Sequence, residues 1–325
     1  MSRATLRTGV LVASLLISAL FAYLAVRNVE WRATWTALRQ TNYWSLGPAG
    51  AALGFSVLFR AVRWQTLFRR EERPALAPVT KAMLVGLLFN IILPARAGEA
   101  VRVVALRSYA GTSVAETTAT VVIERLFDIL SLLALLFLCV PWLPHVTWLR
   151  AAVVVSLVAV ACTVMLVAIV MHLGRGPGAL GALLVRLPFL NHEIVGRLTT
   201  SVAHGLIALR RPRQAAAALA WTVLSWLVLG LAFWFLMIGF HLHLSVLAGL
   251  LVVIATGLSF MVPAAPGGVG VFEAAGLAAT SAYGISNSRA LAYILVLHAV
   301  NVLPFMIAGI AVLATGRKVH WAGRD

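Results

Sequence analysis

Cysteine is nearly absent: Cys139 and Cys162 stand alone in apolar stretches, neither with a partner at metal-ligand spacing, so both read as small core residues and no metal or cofactor is expected. Lysine occurs only at 81 and 318 against 24 arginines, and acidic residues number ten. Charged residues make up 11% of the chain, and no stretch of the 325 residues is polar enough for a separate soluble domain. What fills the chain instead is apolar. With 62% hydrophobic residues and a mean hydropathy of +0.97, the side chains exceed what one globular core can hide. The composition therefore describes a multi-pass, all-α integral membrane protein. A net charge of +16 would suggest nucleic acid in a soluble domain. Here the arginines sit in short segments between apolar runs, as membrane topology requires, which excludes nucleic acid as a partner.

A helix needs about 20 apolar residues to cross the hydrocarbon core. Six stretches meet that length: 8–26, 43–64, 115–140, 150–172, 215–240 and 289–315. The first follows Arg3 and Arg7 like a signal peptide, but it is of spanning length and lacks a convincing small-x-small cleavage site, so it reads as an uncleaved helix. Two further stretches are too short and are interrupted. Residues 80–93 and 97–110 read as the arms of a re-entrant hairpin whose tip is Pro94 to Gly98. Residues 245–283 divide in the same way at Pro263 to Gly270, with a first arm long enough to leave a full crossing open. With the amino terminus in the cytoplasm, sixteen basic residues fall inside and five outside, while Arg60, Arg63, Arg96, Arg102 and Arg125 lie near or within the membrane. The positive-inside rule then places both termini in the cytoplasm. Heavy use of arginine and alanine points to a GC-rich bacterium, hence to its cytoplasmic (inner) membrane.

The two halves match. Glu99 and Glu273 are 174 residues apart, and Gly111 with Gly284, Ser113 with Ser286, Arg125 with His298 and Asp128 with Asn301 all recur at 173. The expected architecture is thus one transmembrane domain over 1–325, a polytopic bundle with two re-entrant hairpins related as an inverted repeat. The first copy covers about 41–140 and the second about 214–315. Between them, about 174–213 reads either as an amphipathic connector on the cytoplasmic leaflet or as an ordinary basic loop.

Buried charge in a bilayer costs on the order of 3 kcal/mol per residue and so marks function or tight pairing. Glu124 and Asp128 share a helix face, with Arg125 in reach of Asp128. The helix after Pro94 places Glu99 in its first turn, Arg102 one turn on and Arg96 at the tip. These charges either neutralise one another and lock helices together or line a site. In the second half, Gly267, Gly268 and Gly270 leave backbone amides at a helix start, suited to an anion. Glu273 follows them, and His298 and Asn301 lie one turn apart in the last span, facing the same region. The candidate binding set is Arg96, Glu99, Arg102, Glu124, Arg125, Asp128, Gly267, Gly268, Gly270, Glu273, His298 and Asn301.

Three motifs, Asn90 to Glu99, Glu124 to Asp128 and Pro263 to Glu273, in this order, resemble the lysylphosphatidylglycerol synthase transmembrane-region family, flippase-like membrane proteins, over about residues 10–315. The resemblance implies movement of a lipid between leaflets. It implies a substrate among anionic phospholipids, aminoacylated lipids, glycolipids and hopanoids. The larger synthases carry a cytoplasmic aminoacyl-transferase domain that this sequence lacks, which removes the basis for synthase activity. The expectation is therefore a non-enzymatic lipid translocase. Two other readings stay open: an integral-membrane transferase acting on a lipid-linked donor, and a non-transporting scaffold that recruits a lipid-modifying enzyme. The first would want an acidic pair on a water-facing loop, yet the loops offer mainly Glu30, Glu71, Glu72, Glu116 and Glu193 without suitable spacing.

Overall fold

The computed structural model describes residues 3–93, 96–144, 154, 212–260 and 264–315. The expected span at 150–172, apart from a helical Val154, and nearly all of the connector at 174–213 lie outside the described residues. Ten α-helices make up the described chain, with no strand among them. They are α1 Arg3–Val26, α2 Trp31–Arg39, α3 Leu46–Thr66, α4 Leu76–Ile92, α5 Gly98–Ala110, α6 Val114–Cys139, α7 Pro212–Gly239, α8 Val246–Ser259, α9 Val271–Ser281 and α10 Asn287–Thr315.

Three segments are long and apolar enough to cross a bilayer: Tyr43–Thr66, Pro212–Gly239 and Asn287–Thr315. Helix α6 has 26 residues, about 39 Å at 1.5 Å each, but carries Glu124, Arg125 and Asp128 in its middle. The apolar part of α1 turns through 82° into α2. The sequence reading gave α2 no element. Its Trp31 and Trp35 are exposed, Thr34 is buried and donates to the Ser288 carbonyl at 3.2 Å, and Arg39 lies over the Trp35 ring. These contacts seat an amphipathic helix on the start of α10, a tertiary arrangement that hydropathy does not report.

Large apolar side chains remain exposed on the outer faces of the bundle. Leu16 is 65% exposed, Ile307 66% and Phe55 57%. Such surface is stable only against lipid. Inside, apolar burial no longer drives helix association, because lipid tails are as apolar as leucine, so close packing and polar contacts must hold the helices. Helix α3 packs along α7, where Ser56 donates to the Ser225 carbonyl at 2.9 Å.

The four short helices form two broken pairs. At 17, 13, 14 and 11 residues, α4, α5, α8 and α9 span about 26, 20, 21 and 17 Å. Helix α4 begins four residues earlier than the sequence reading placed its arm. The helix is interrupted between Ile92 and Gly98 and between Ser259 and Val271, and the two members of each pair pack on each other. Helices α4 and α5 touch backbone to backbone: a Cβ on Gly98 would collide with the Gly86 carbonyl and come within 2.5 Å of the Asn90 amide. Gly98→Leu is expected to force these helices apart, seen as loss of the monodisperse detergent-extracted protein on size exclusion.

Candidate functional site

The charges of the first half converge into one network. Arg63 of α3, 1% exposed, reaches Glu124 at 2.8 Å and bonds Asp128, both on α6. Arg102 of α5 is ion-paired with Glu99 at 2.8 Å and donates to Glu124 at 3.1 Å. Arg125 contacts Glu124 at 2.5 Å, Asp128 at 3.2 Å and Glu99 at 3.7 Å, while Arg96 stands 3.9 Å from Glu99. The i,i+3 pair Arg125–Asp128 read from the sequence forms, while Glu99, expected to pair with Arg96, lies closer to Arg102. Aromatic rings complete the surroundings. Arg102 lies 4.6 Å from the Trp64 ring, whose Nε1 donates to Thr120 at 3.0 Å. Trp226 of α7 donates to Asp128 at 3.2 Å and presents its ring to Arg60 at 4.5 Å.

Arg60, Arg63 and Trp226 are functional candidates that the sequence reading missed. The signal was present: Arg60 and Arg63 lie three apart near the end of a span otherwise almost free of charge. Counting them for topology hid their common helix face. Arg60 has no carboxylate within 4.0 Å among the described residues, and its Nε and Nη2 are buried without a hydrogen-bond partner. Breaking a buried pair leaves an uncompensated charge costing about 3–5 kcal/mol. Arg60 faces the Trp226 ring, a contact that leaves its charge without a counter-ion among the described residues.

The second half repeats the arrangement with weaker charges. Glu273, in the first turn of α9, accepts from the Gly270 amide at 2.6 Å and meets His298 Nδ1 of α10 at 2.5 Å. His298 Nε2 lies 3.0 Å from the Gly267 carbonyl. Residues paired by the sequence offset make matching contacts: Arg125 meets Glu99, and His298 meets Glu273. Gly111 and Gly284, also paired by the offset, end α5 and follow α9 with φ of 67° and 70°, a left-handed turn that favours glycine. Two of the glycine amides do not point outward as expected. Gly270 donates to Glu273 and Gly268 donates to the Ala265 carbonyl at 2.9 Å, because the loop satisfies its own helix start.

A cavity of about 370 Å³ opens between the two loops. On one side it is lined by Arg60, Arg96, Arg125 and Asp128, and on the other by Gly267, Gly268, His298 and Asn301. Leu87, Leu132, Leu229, Phe233 and Phe260 supply apolar wall. Arg96, at φ 58°, lies over the Phe260 ring and donates to the Phe260 carbonyl at 3.4 Å, which ties the first loop to the end of α8. Of the twelve predicted residues, seven line the cavity. Glu99, Arg102 and Glu124 stand behind it in the ion network, and Gly270 and Glu273 hold the second loop. Asn301 faces the cavity while its Nδ2 donates to the Leu297 carbonyl of its own helix at 2.9 Å.

Neither a curated protein nor a solved structure matches the chain. The sequence signature described as the lysylphosphatidylglycerol synthase TM region matches residues 11–309, nearly the full length. This chain is a multi-pass membrane protein that belongs to that lipid-handling family.

Proposed function

We propose that this protein is a lipid translocase of a bacterial inner membrane, in which the two broken helix pairs are re-entrant hairpins inserted from opposite faces. The observation that carries the reading is the cavity between the loops, with three arginines on one wall and apolar side chains beside them. A phosphate-bearing headgroup suits such a mixture, since guanidinium forks hold phosphate oxygens while the tails stay in lipid. The contacts between residues matched across the halves at offsets of 174 and 173, Glu99 with Arg125 and Glu273 with His298, support an inverted repeat, and rocking of one copy against the other gives alternating access. Glu99 and Glu124 orient the arginines, while Glu273 and His298 fix the second loop. The carboxylates nearest the cavity are engaged by arginine, which favours transport over transfer chemistry needing a free base.

The test uses purified protein in vesicles containing a fluorescent headgroup-labelled phospholipid, with loss of signal on adding an impermeant quencher. Wild type should move the lipid at least about tenfold faster than the Arg96→Ala, Glu273→Ala double variant. Equal rates from correctly folded protein reject the proposal. The same assay, run without other proteins, separates a translocase from a scaffold, which moves nothing alone.

A further inference from the structure

We infer that the preferred headgroup carries two negative charges, as a phosphomonoester or a diphosphate does. This deepens the preceding section and rests on its reading of the cavity as a headgroup site. The assembly contains five guanidiniums, Arg60, Arg63, Arg96, Arg102 and Arg125, and three carboxylates, Glu99, Glu124 and Asp128. Three of the arginines have close carboxylate partners. Arg63 reaches Glu124 at 2.8 Å, Arg102 reaches Glu99 at 2.8 Å, and Arg125 reaches Glu124 at 2.5 Å and Asp128 at 3.2 Å. The other two are left over. Arg60 has no carboxylate within ion-pair distance among the described residues, and Arg96 has only Glu99 at 3.9 Å. Both of these line the cavity.

The opposite wall does not cancel the excess. Glu273 does not line the cavity, and its oxygens are occupied by the Gly270 amide and His298. His298 lies between the Glu273 carboxylate and the Gly267 carbonyl, so the Glu273 side chain is held on the far side of the ring from that carbonyl. The remaining lining groups, Gly267, Gly268 and Asn301, are neutral.

The cavity therefore presents two cations beyond those its own carboxylates hold. A phosphodiester with one charge leaves one guanidinium uncompensated in a low-dielectric site. A headgroup bearing ammonium groups adds cations to cations, and the carboxylates that would receive them are already ion-paired with arginine. A dianionic phosphate satisfies both leftover arginines, which line the cavity.

The experiment is calorimetric titration of the full chain in uncharged detergent, at about pH 8, where a phosphomonoester has lost both protons given its second pKa of about 6. The probes are dioctanoyl phosphatidic acid, dioctanoyl phosphatidylglycerol and dioctanoyl lysylphosphatidylglycerol. The expected result is binding of phosphatidic acid at least tenfold tighter than phosphatidylglycerol, with the lysyl lipid weakest. Arg60→Gln should weaken phosphatidic acid binding at least tenfold and cut that preference to under threefold, and Arg96→Gln, altering a half-exposed side chain, should act in the same direction. Phosphatidylglycerol binding as tightly as phosphatidic acid, but weakened by these substitutions, overturns the two-charge inference and leaves the headgroup site standing. Binding of all three probes that is indifferent to Arg60 and Arg96, or no binding, removes the headgroup site as well. Tightest binding of the lysyl lipid also overturns the inference.

Discussion

Glu124→Ala should leave almost no folded protein. Its Oε1 accepts from Arg102 and Arg125 and is ion-paired with Arg63 at 2.8 Å, guanidiniums from three helices on one carboxylate that is itself 2% exposed. Removing it strands buried cations, and the loss expected for one broken buried pair is about 3–5 kcal/mol. That is a large part of the roughly 5–15 kcal/mol that holds a typical domain together. Thermal unfolding of detergent-purified protein, followed by size exclusion, measures the outcome. Arg60→Ala makes the contrast, because it removes a cation that no carboxylate holds. It should leave thermal stability unchanged or raised while headgroup binding falls. If Arg60→Ala instead unfolds the protein as severely as Glu124→Ala, Arg60 is a structural residue and its place at the cavity wall has no binding role.

The second large effect is expected at Glu273, where the Ala and Gln variants should behave differently. Alanine removes the acceptor for the Gly270 amide and the group that positions His298 against the Gly267 carbonyl, so both holds on the loop from 264 to 270 weaken. Lipid movement should fall at least tenfold, about 1.4 kcal/mol or more in barrier terms. Glutamine keeps the shape: its oxygen accepts from Gly270 and its amide donates to Nδ1 of His298 when the ring proton sits on Nε2, facing Gly267. That variant should retain more than half of the wild-type rate in the quencher assay. Equal loss in both variants would show that the charge of Glu273, rather than its hold on the loop, is what transport requires.

Much of this site could be read from the sequence because proline and glycine interrupt apolar runs that are otherwise long enough to cross. The lone glutamates after those breaks fell in the first turns of α5 and α9, and the two halves kept their register through Arg125 and His298. What escaped was tertiary. Arg63 meets Asp128 across 65 residues, and Trp226 meets Asp128 across 98. No local spacing encodes either contact. Arg60 and Arg63 were hidden for a different reason, since an arginine near the end of a span serves equally well as a topological signal. The glycine amides misled in the opposite direction: their spacing was right for an anion, but the loop consumed two of them itself. Helix α2 was missed because its nine residues are amphipathic and too short for a span.

The most direct test of the central claim, that a lipid headgroup occupies the cavity between the two loops, is photo-crosslinking in vesicles followed by mass spectrometric mapping. Two phospholipid probes are needed, one with a diazirine on the headgroup and one with it near the tail terminus. The account predicts headgroup adducts on cavity-lining residues such as Trp226, Thr256 and Phe260, suppressed in Arg60→Gln, and tail adducts on the outer face at Phe55, Leu303 and Ile307. Headgroup adducts confined to the exposed aromatic residues near the helix ends, Trp31, Trp35 and Trp44, with none in the cavity, would contradict it.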